Sequence, residues 1–528
     1  QWNSGRSVSY EYGNRMVNVD DNGRQFTKEY DAWGNVLTSS DPESSVTYTY
    51  SSCGKPSQVT AAGATVSLTY DTAGNRTSLS DPDAGTTTYE YNAAGAVTRK
   101  TDARGVVTEN TYDSLNRLVC TVAGTDTISY TYGTSGNDAM RLVSKSCNGG
   151  STSYTYDKLG QVLTETRHMD GHQDMVTSYE YNRIGQLIQK TFPDGLQVRY
   201  KHEATSGDVY DVRIGDRNIY RLADDNGTTR TVMHDGAYVE ETITLPGIGD
   251  FPRKDPESTY IQTLNLNDCI YATDKHDNIG FLSSSYLYYD TVVLDSISYE
   301  YDVRGNLLTR TRGTGLTEGF AYDDIDRLVE VSTDDEVVCE TEYSSNGNII
   351  RRDGIGNYTY GSAKPHAVTS VENLDGSITG ASQATSFNGF GKVTRVIDGN
   401  EAYQMDITYG PDQQRWKSVL TKMGQPVRTT IYADDYEEVI SADSTTRRFH
   451  YLDGGAVVVS QDGEDDAVYY AFTDNLGSVL RLVNSHGETA FEASYDAWGR
   501  QTVTTDSIGF RRGYTGHEML PEFGLINM

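Results

Sequence analysis

The chain has 528 residues, a formal charge of −31 and 36% hydrophobic residues. A charge of that sign argues against a nucleic-acid or anionic-membrane surface, where a basic patch is the usual footprint. No apolar run reaches the roughly 18 residues a bilayer span needs, and Gln1-Trp-Asn-Ser-Gly5 does not begin a signal peptide.

The low apolar content is offset by 39 tyrosines against 12 phenylalanines. A tyrosine can bury its ring on a sheet face while its hydroxyl reaches water or a neighbour. Glycine is frequent (51) and proline is not (11), which fits many tight turns and not a low-complexity linker. Five cysteines, at 53, 120, 147, 269 and 339, are scattered and odd in number, so free thiols are expected in place of a disulfide framework or a zinc site.

Val8-Ser-Tyr-Glu-Tyr12 already reads as the end of a repeat, so the chain is expected to be a piece of a longer polypeptide whose cut sheet edges are open. From there to about residue 200 a unit of two short strands and two turns recurs. In Tyr70-Asp71-Thr72-Ala73-Gly74-Asn75 the strand ends and a turn follows; Arg76–Ser80 is the next strand, and Asp81-Pro82-Asp83-Ala84-Gly85 is the next turn. Tyr70, Tyr91 and Tyr112 stand 21 residues apart, as do Tyr301, Tyr322 and Tyr343. A period near this length marks an array in which each unit buries its face against its neighbours. Residues 201–297 keep the phase weakly, with a Gly/Pro-rich loop at Leu245–Lys254 and strand-like Tyr286–Asp290 and Thr291–Leu294. They are read as degenerate repeats with an insertion, an inserted domain being the alternative. Clean repeats return over 298–445, and 446–528 forms a last, more apolar block.

The expected class is therefore all-β: a repeat array of hairpins building a long antiparallel sheet, with neither helical periodicity nor a substantial helical domain. The recurring positions are Tyr30, Asp31 and Gly34; Tyr70, Asp71 and Gly74; Tyr91 and Gly95; Tyr112 and Asp113; Tyr156, Asp157 and Gly160; Tyr301, Asp302 and Gly305; Tyr322 and Asp323; and Tyr495, Asp496, Trp498 and Gly499. The aspartate is expected to cap its turn and not to act in catalysis. Each repeat tyrosine is expected to stack on its equivalent one repeat away.

Other candidates are weaker. His168-Met-Asp-Gly-His172 could hold zinc on a helix, but Gly171 argues for a turn. His517-Glu518 lacks the second histidine of a zincin motif, so packing is its expected role. Asn75-Arg-Thr77, Asn226-Gly-Thr228 and Asn357-Tyr-Thr359 match a glycosylation acceptor pattern that turns and strands also supply by chance. No nucleophile elbow, phosphate loop or CxxC pair is present, so neither an enzyme activity nor a cofactor is expected. A glycosidase-like carboxylate pair within 201–295 is the enzymatic alternative.

The Tyr-Asp-x-x-Gly-Asn/Arg unit at this period resembles the YD-repeat, or RHS (rearrangement hot spot), family. Arg415-Trp416 resembles the segment that introduces the repeat-associated core. Phe472-Thr-Asp-Asn-Leu-Gly-Ser-Val-Leu480, Phe491–Arg500 and Tyr514–Met528 resemble the core region itself. The resemblance implies that the sheet spirals into a hollow shell, partial in this chain, around a variable C-terminal and often toxin-like segment of the same polypeptide. It also implies secretion or a cell-surface location. In many members a self-cleavage step follows the core, and its motif would lie beyond Met528. The alternative is an adhesin whose tyrosine-rich face binds surface glycans.

Overall fold

The computed structural model describes residues 7–204, 206–221, 232–234, 237–239, 260–265, 270–276, 281–313, 315–376, 383–398 and 402–527. The Leu245–Lys254 loop, Asn226, Cys269, the first five residues and Met528 lie outside them. Of the described residues, 62% lie in strands and 2% in helix. Neighbouring strands pair antiparallel throughout the described residues.

The local sequence dictates this. In Ser45–Tyr50 and Gly85–Tyr91 exposure alternates residue by residue, so Tyr48 and Tyr50, or Tyr89 and Tyr91, share the covered face while the intervening Thr or Glu faces water. The register carries one recurring irregularity. Tyr30, Tyr50, Tyr70, Tyr112, Tyr156, Tyr322 and Tyr343 each follow a β-bulge, so that Tyr70 opposes Arg76 while Thr69 opposes Ser78. A bulge of this kind tightens the local twist and re-aims the side chain beside it.

The chain divides into two compact units. One comprises residues 1–125 and 298–378, the other 126–297 and 379–528. In the first, half-buried strands dominate, and its two stretches meet through charged turn residues: Arg24 with Asp326 at 2.6 Å and Arg327 with Glu43 at 2.8 Å.

The second unit holds the apolar core. Its 12-stranded sheet runs from Gln383–Phe387 to Gln501–Asp506. The strands Ala456–Gln461 and Val479–Asn484 each bury four of their six residues, including Val458, Leu482 and Val483. Trp416, fully buried, lies against Gly150 and Gly410. The stretch 201–297 contributes antiparallel strands Val209–Ile214, Arg217–Arg221, Ile270–His276 and Leu282–Tyr289 to this unit.

Candidate functional site: repeat turns and the C-terminal block

The repeat turn is a small machine for satisfying backbone donors. Asp71 N–H donates to the Asn75 carbonyl at 2.9 Å, and Gly74 N–H donates back to the Asp71 carbonyl at 3.0 Å. Asp71 Oδ1 accepts from Ala73 N–H (2.9 Å) and Asn75 N–H (2.8 Å). The side-chain amide of Asn75, with help from these N–H groups, holds the Asp71 carboxyl below its ordinary value. Asp31, Asp113, Asp157, Asp302, Asp323 and Asp496 accept in the same way from residues two and four positions on. Asn92 and Asn182 do so with an amide oxygen.

The fourth turn position needs the left-handed region. Gly34, Gly74, Gly95, Gly160, Gly305 and Gly499 supply it without a Cβ. Asn116 and Asp326 occupy it where glycine is absent, the residue types that tolerate it best.

The tyrosines do not stack as the repeat period suggests. Among the described residues no ring pair joins Tyr91 to Tyr70 or Tyr112; the ring pairs found on these strands are neighbours two residues apart, such as Tyr154–Tyr156 and Tyr299–Tyr301. The hydroxyl makes the inter-repeat contact instead. Tyr70 donates to the Pro56 carbonyl (2.9 Å), Tyr91 to Arg76 (2.7 Å) and Tyr112 to Val97 (2.8 Å). In each case the acceptor is the residue that opposes the preceding repeat's tyrosine across the bulge: Pro56 opposes Tyr50, Arg76 opposes Tyr70, Val97 opposes Tyr91. The same rung recurs from Tyr50 to Val36, Tyr156 to Leu142, Tyr343 to Leu328 and Tyr495 to Val479. One bulge re-aims one ring, and one hydroxyl ties two hairpins. In some repeats the cation that ends the previous turn also covers the ring, as Arg327 does over Tyr343 at 4.8 Å and Lys55 over Tyr70 at 5.6 Å.

Within the second unit, an ionic seam joins the strands of 142–200 to the 12-stranded sheet. Lys145 meets Asp412 (3.5 Å), Arg167 meets Asp434 (2.6 Å) and Lys190 meets Asp435. Farther along, His172 meets Glu438 (3.2 Å) and His450 meets Asp194 (2.9 Å). Phe192 packs on the His450 ring beneath this seam. His168 and His172 are therefore not a metal pair: His168 turns to Asp174, whose carboxylate raises its pKa, while His172 turns to Glu438. Among the described residues no group of three His, Cys, Asp or Glu side chains is placed to hold a metal ion. Beside the seam lies a cavity of about 890 Å³, lined among others by Asp174, Asp194, Glu438, Arg448, Asp462 and Asp466.

Residues 507–527 fold back onto the sheet. Leu520 and Phe523 complete a core cluster with Val396, Met405, Ile407 and Leu420. Two buried glutamates, Glu437 and Glu518, and the half-buried Glu522 have cationic partners. Glu437 pairs with Arg512 and accepts from the Tyr451 hydroxyl. Glu518 takes Arg415 (3.0 Å) and the Tyr432 hydroxyl (2.9 Å). Glu522 takes Arg511 (2.7 Å) and Arg428 (2.9 Å). Burial pushes the Glu437 carboxyl up, whereas for Glu522 the two guanidinium groups overcome burial and hold it below the usual range. The sequence resemblance marked Arg415-Trp416 and Tyr514–Met528 as parts of the core region and weighed His517 and Glu518, but gave none of them a partner. The pairings of Arg415, Arg428, Arg511, Arg512, Glu437, Glu518 and Glu522 carry no local pattern, because the partners are distant in sequence. Trp498 N–H donates to Asp496 Oδ1 at 2.8 Å, and Gly499 abuts this block, the Tyr514 ring lying where a Gly499 Cβ would reach it within 2.9 Å.

A bulged-hairpin array with tyrosine rungs and a docked, acid-bearing C-terminal block defines a YD-type shell module. The chain belongs to the teneurin YD-shell family, whose model matches residues 6–527. Its fold matches the crystal structure of TcdB2-TccC3 without its hypervariable C-terminal region, with a TM-score of 0.78 at 13% identity over 98% of this chain. It also matches the Photorhabdus luminescens Tc holotoxin pore, with a TM-score of 0.78 at 13% identity over 99% of this chain. A curated relative, double-stranded DNA deaminase toxin A of Burkholderia cenocepacia (strain H111), is 24% identical over 293 residues, or 53% of this chain. The chain spans 30% of each of those two structures' chains and 17% of the deaminase toxin.

Proposed function

We propose that this chain is a structural wall, not an enzyme: in the full protein it helps encapsulate and deliver a variable, toxin-like C-terminal segment of the same polypeptide. The observation that carries this is the fold match over 98% of the chain to a TcdB2-TccC3 structure defined by the absence of its hypervariable C-terminal region. The build of the molecule supports it. The repeat positions from Tyr30 to Gly499 serve to satisfy backbone groups and to link hairpin to hairpin, which is what a wall requires. The block over 446–528 gives that wall a charged, buried seal. On this reading the protein acts outside the producing cell, as a secreted or surface component. The glycan-binding alternative finds less support, because the hydroxyls of the repeat tyrosines are committed to carbonyls of neighbouring hairpins.

The test is protease protection of the full polypeptide. The segment following this chain should resist trypsin as long as the repeats are folded, and should be digested once mild denaturant opens them. Equal digestion in both conditions would defeat the proposal.

A further inference from the structure

We propose that the hairpin 187–202 and the turn before it are latched by doubly protonated histidines, so that this part of the second unit is held shut in mild acid and loosens as the pH rises past neutrality. The hairpin joins the strands Leu187–Thr191 and Gln197–His202. Its last residue stands where a repeat tyrosine belongs. His202 follows a β-bulge as those tyrosines do, and its Nε2 meets the Leu187 carbonyl at 2.6 Å. Leu187 is the residue that opposes Tyr181 across the preceding bulge, so His202 is an imidazole rung in a ladder of phenols. Its Nδ1 meets a second carbonyl, that of Gly207, at 3.0 Å. At the other end of the hairpin, fully buried His450 meets Asp194 at 2.9 Å through Nε2 and the Val458 carbonyl at 3.3 Å through Nδ1. One turn earlier, His172 meets Glu438 at 3.2 Å and the Gln173 carbonyl at 2.7 Å.

Carbonyl and carboxylate oxygens only accept. A neutral imidazole carries one N–H, so it satisfies one of two such oxygens and turns a lone pair toward the other; only the imidazolium donates to both. Burial would raise the Asp194 carboxyl, but His450 holds it below the usual carboxylate range, so it meets the ring ionised. Closing the latch therefore takes up protons that histidines in water give up once the pH exceeds their ordinary value of about 6.5. By linkage, the closed state is fully favoured below that pH and loses favour as the pH rises through the histidine range. The surrounding charges do not share this titration. Around His172 and His450 stand Asp174, Asp194, Glu438, Arg448, Asp462 and Asp466, with Arg448 between Glu438 and Asp462. The Tyr436 ring packed on His450 carries its hydroxyl to Glu438 at 2.7 Å. Beside His202, Glu203 and Asp208 belong to its own turn, Lys201 and Arg213 pair with Asp211, and Lys190 pairs with Asp435. His168 pairs with Asp174 inside its own hairpin. Among these side-chain types only the imidazole ordinarily changes charge between about pH 5.5 and 8.5. In an enclosing wall such a latch sets the pH at which the wall yields, but it stands whether or not the sheet encloses anything.

The test is hydrogen exchange by mass spectrometry on the folded chain from about pH 5.5 to 8.5, under conditions where exchange follows the opening equilibrium and with each rate divided by the intrinsic rate at that pH. Protection of 187–202 should fall roughly tenfold across the range, the loss of one to two hydrogen bonds. Arg76–Asp81 and Val97–Thr101, which receive tyrosine rungs, should change by less than about twofold, because a phenol ordinarily titrates near pH 10. His202→Tyr restores a phenol rung and should cut the fall to about threefold. His202→Tyr combined with His450→Gln should leave 187–202 as flat as the tyrosine-rung strands. A flat wild-type profile, a fall shared equally by all strands, or an undiminished fall in His202→Tyr overturns the proposal. Should the double variant fail to fold, the wild-type profile and His202→Tyr decide.

Discussion

Replacing Tyr91 by phenylalanine removes one oxygen and keeps the ring. In the structure that oxygen donates to the Arg76 carbonyl at 2.7 Å, in the strand that closes the preceding hairpin, around the Tyr70 turn. A neutral hydrogen bond of this kind contributes about 0.5–1.5 kcal/mol net, with more lost if the carbonyl stays dry and unpaired. A loss of about 1 kcal/mol speeds exchange through local opening roughly fivefold. Hydrogen exchange read by mass spectrometry should show that change in Arg76–Asp81, one hairpin upstream, and not at the strand following Tyr91. Tyr112→Phe should move the effect to Val97–Thr101, whose first carbonyl Tyr112 uses. Ring stacking between repeats would give a different pattern: phenylalanine would be silent, and alanine would loosen both flanking repeats equally. If the phenylalanine variants leave exchange unchanged within experimental error, the hydroxyl ladder is not what ties the repeats together.

Further expectations concern turns, packing and thiols. Asp302→Ala should cost about 1–2 kcal/mol, as lost caps do, because it strips the acceptor from Arg304 and Asn306 N–H, whereas Asp302→Asn should cost far less; thermal unfolding compares them. Burial would raise the Asp302 carboxyl, but Asn306 and Arg304 hold it below 3.8, so its contribution is present above that pH and is lost as pH falls through the lower folded value. The stability difference between wild type and Asp302→Ala should therefore be flat from neutral pH down to the ordinary aspartate range and shrink below it. Gly410→Ala would set a Cβ 2.0 Å from the Trp416 ring, so it should exceed the usual 1–3 kcal/mol of overpacking and alter tryptophan fluorescence. Glu522→Gln strands Arg428 and Arg511, costs about 3 kcal/mol, and should make 507–527 susceptible to proteolysis while the repeats stay protected. Iodoacetamide should modify exposed Cys53, whose thiol Ser51 lowers, well before Cys147, which burial pushes up to about 11.

Much of the fold is legible because it is local. Tyr70 through Asn75 contains its own turn chemistry: an acceptor, a left-handed glycine and a closing strand, all within six residues. Alternation in Gly85–Tyr91 sets which face is covered. What sequence spacing misjudges is the direction of the ring. A period of 21 residues places equivalent tyrosines side by side only if the register is regular, and the bulge before each tyrosine breaks that regularity. The ionic seam and the buried glutamates were invisible for another reason. Lys190 and Asp435, or Arg415 and Glu518, are paired by the return of the chain and not by any motif. His168 and His172 show the converse case, a suggestive spacing that the turn expected at Gly171 resolves into two separate acid partners.

Single-particle cryo-electron microscopy of the natural full-length polypeptide tests the central claim most directly. The account expects density for the downstream segment on the enclosed side of the repeat sheets, bounded by them and by the 507–527 block. A downstream segment that stands free in solvent, with no sheet around it, would contradict the encapsulating role.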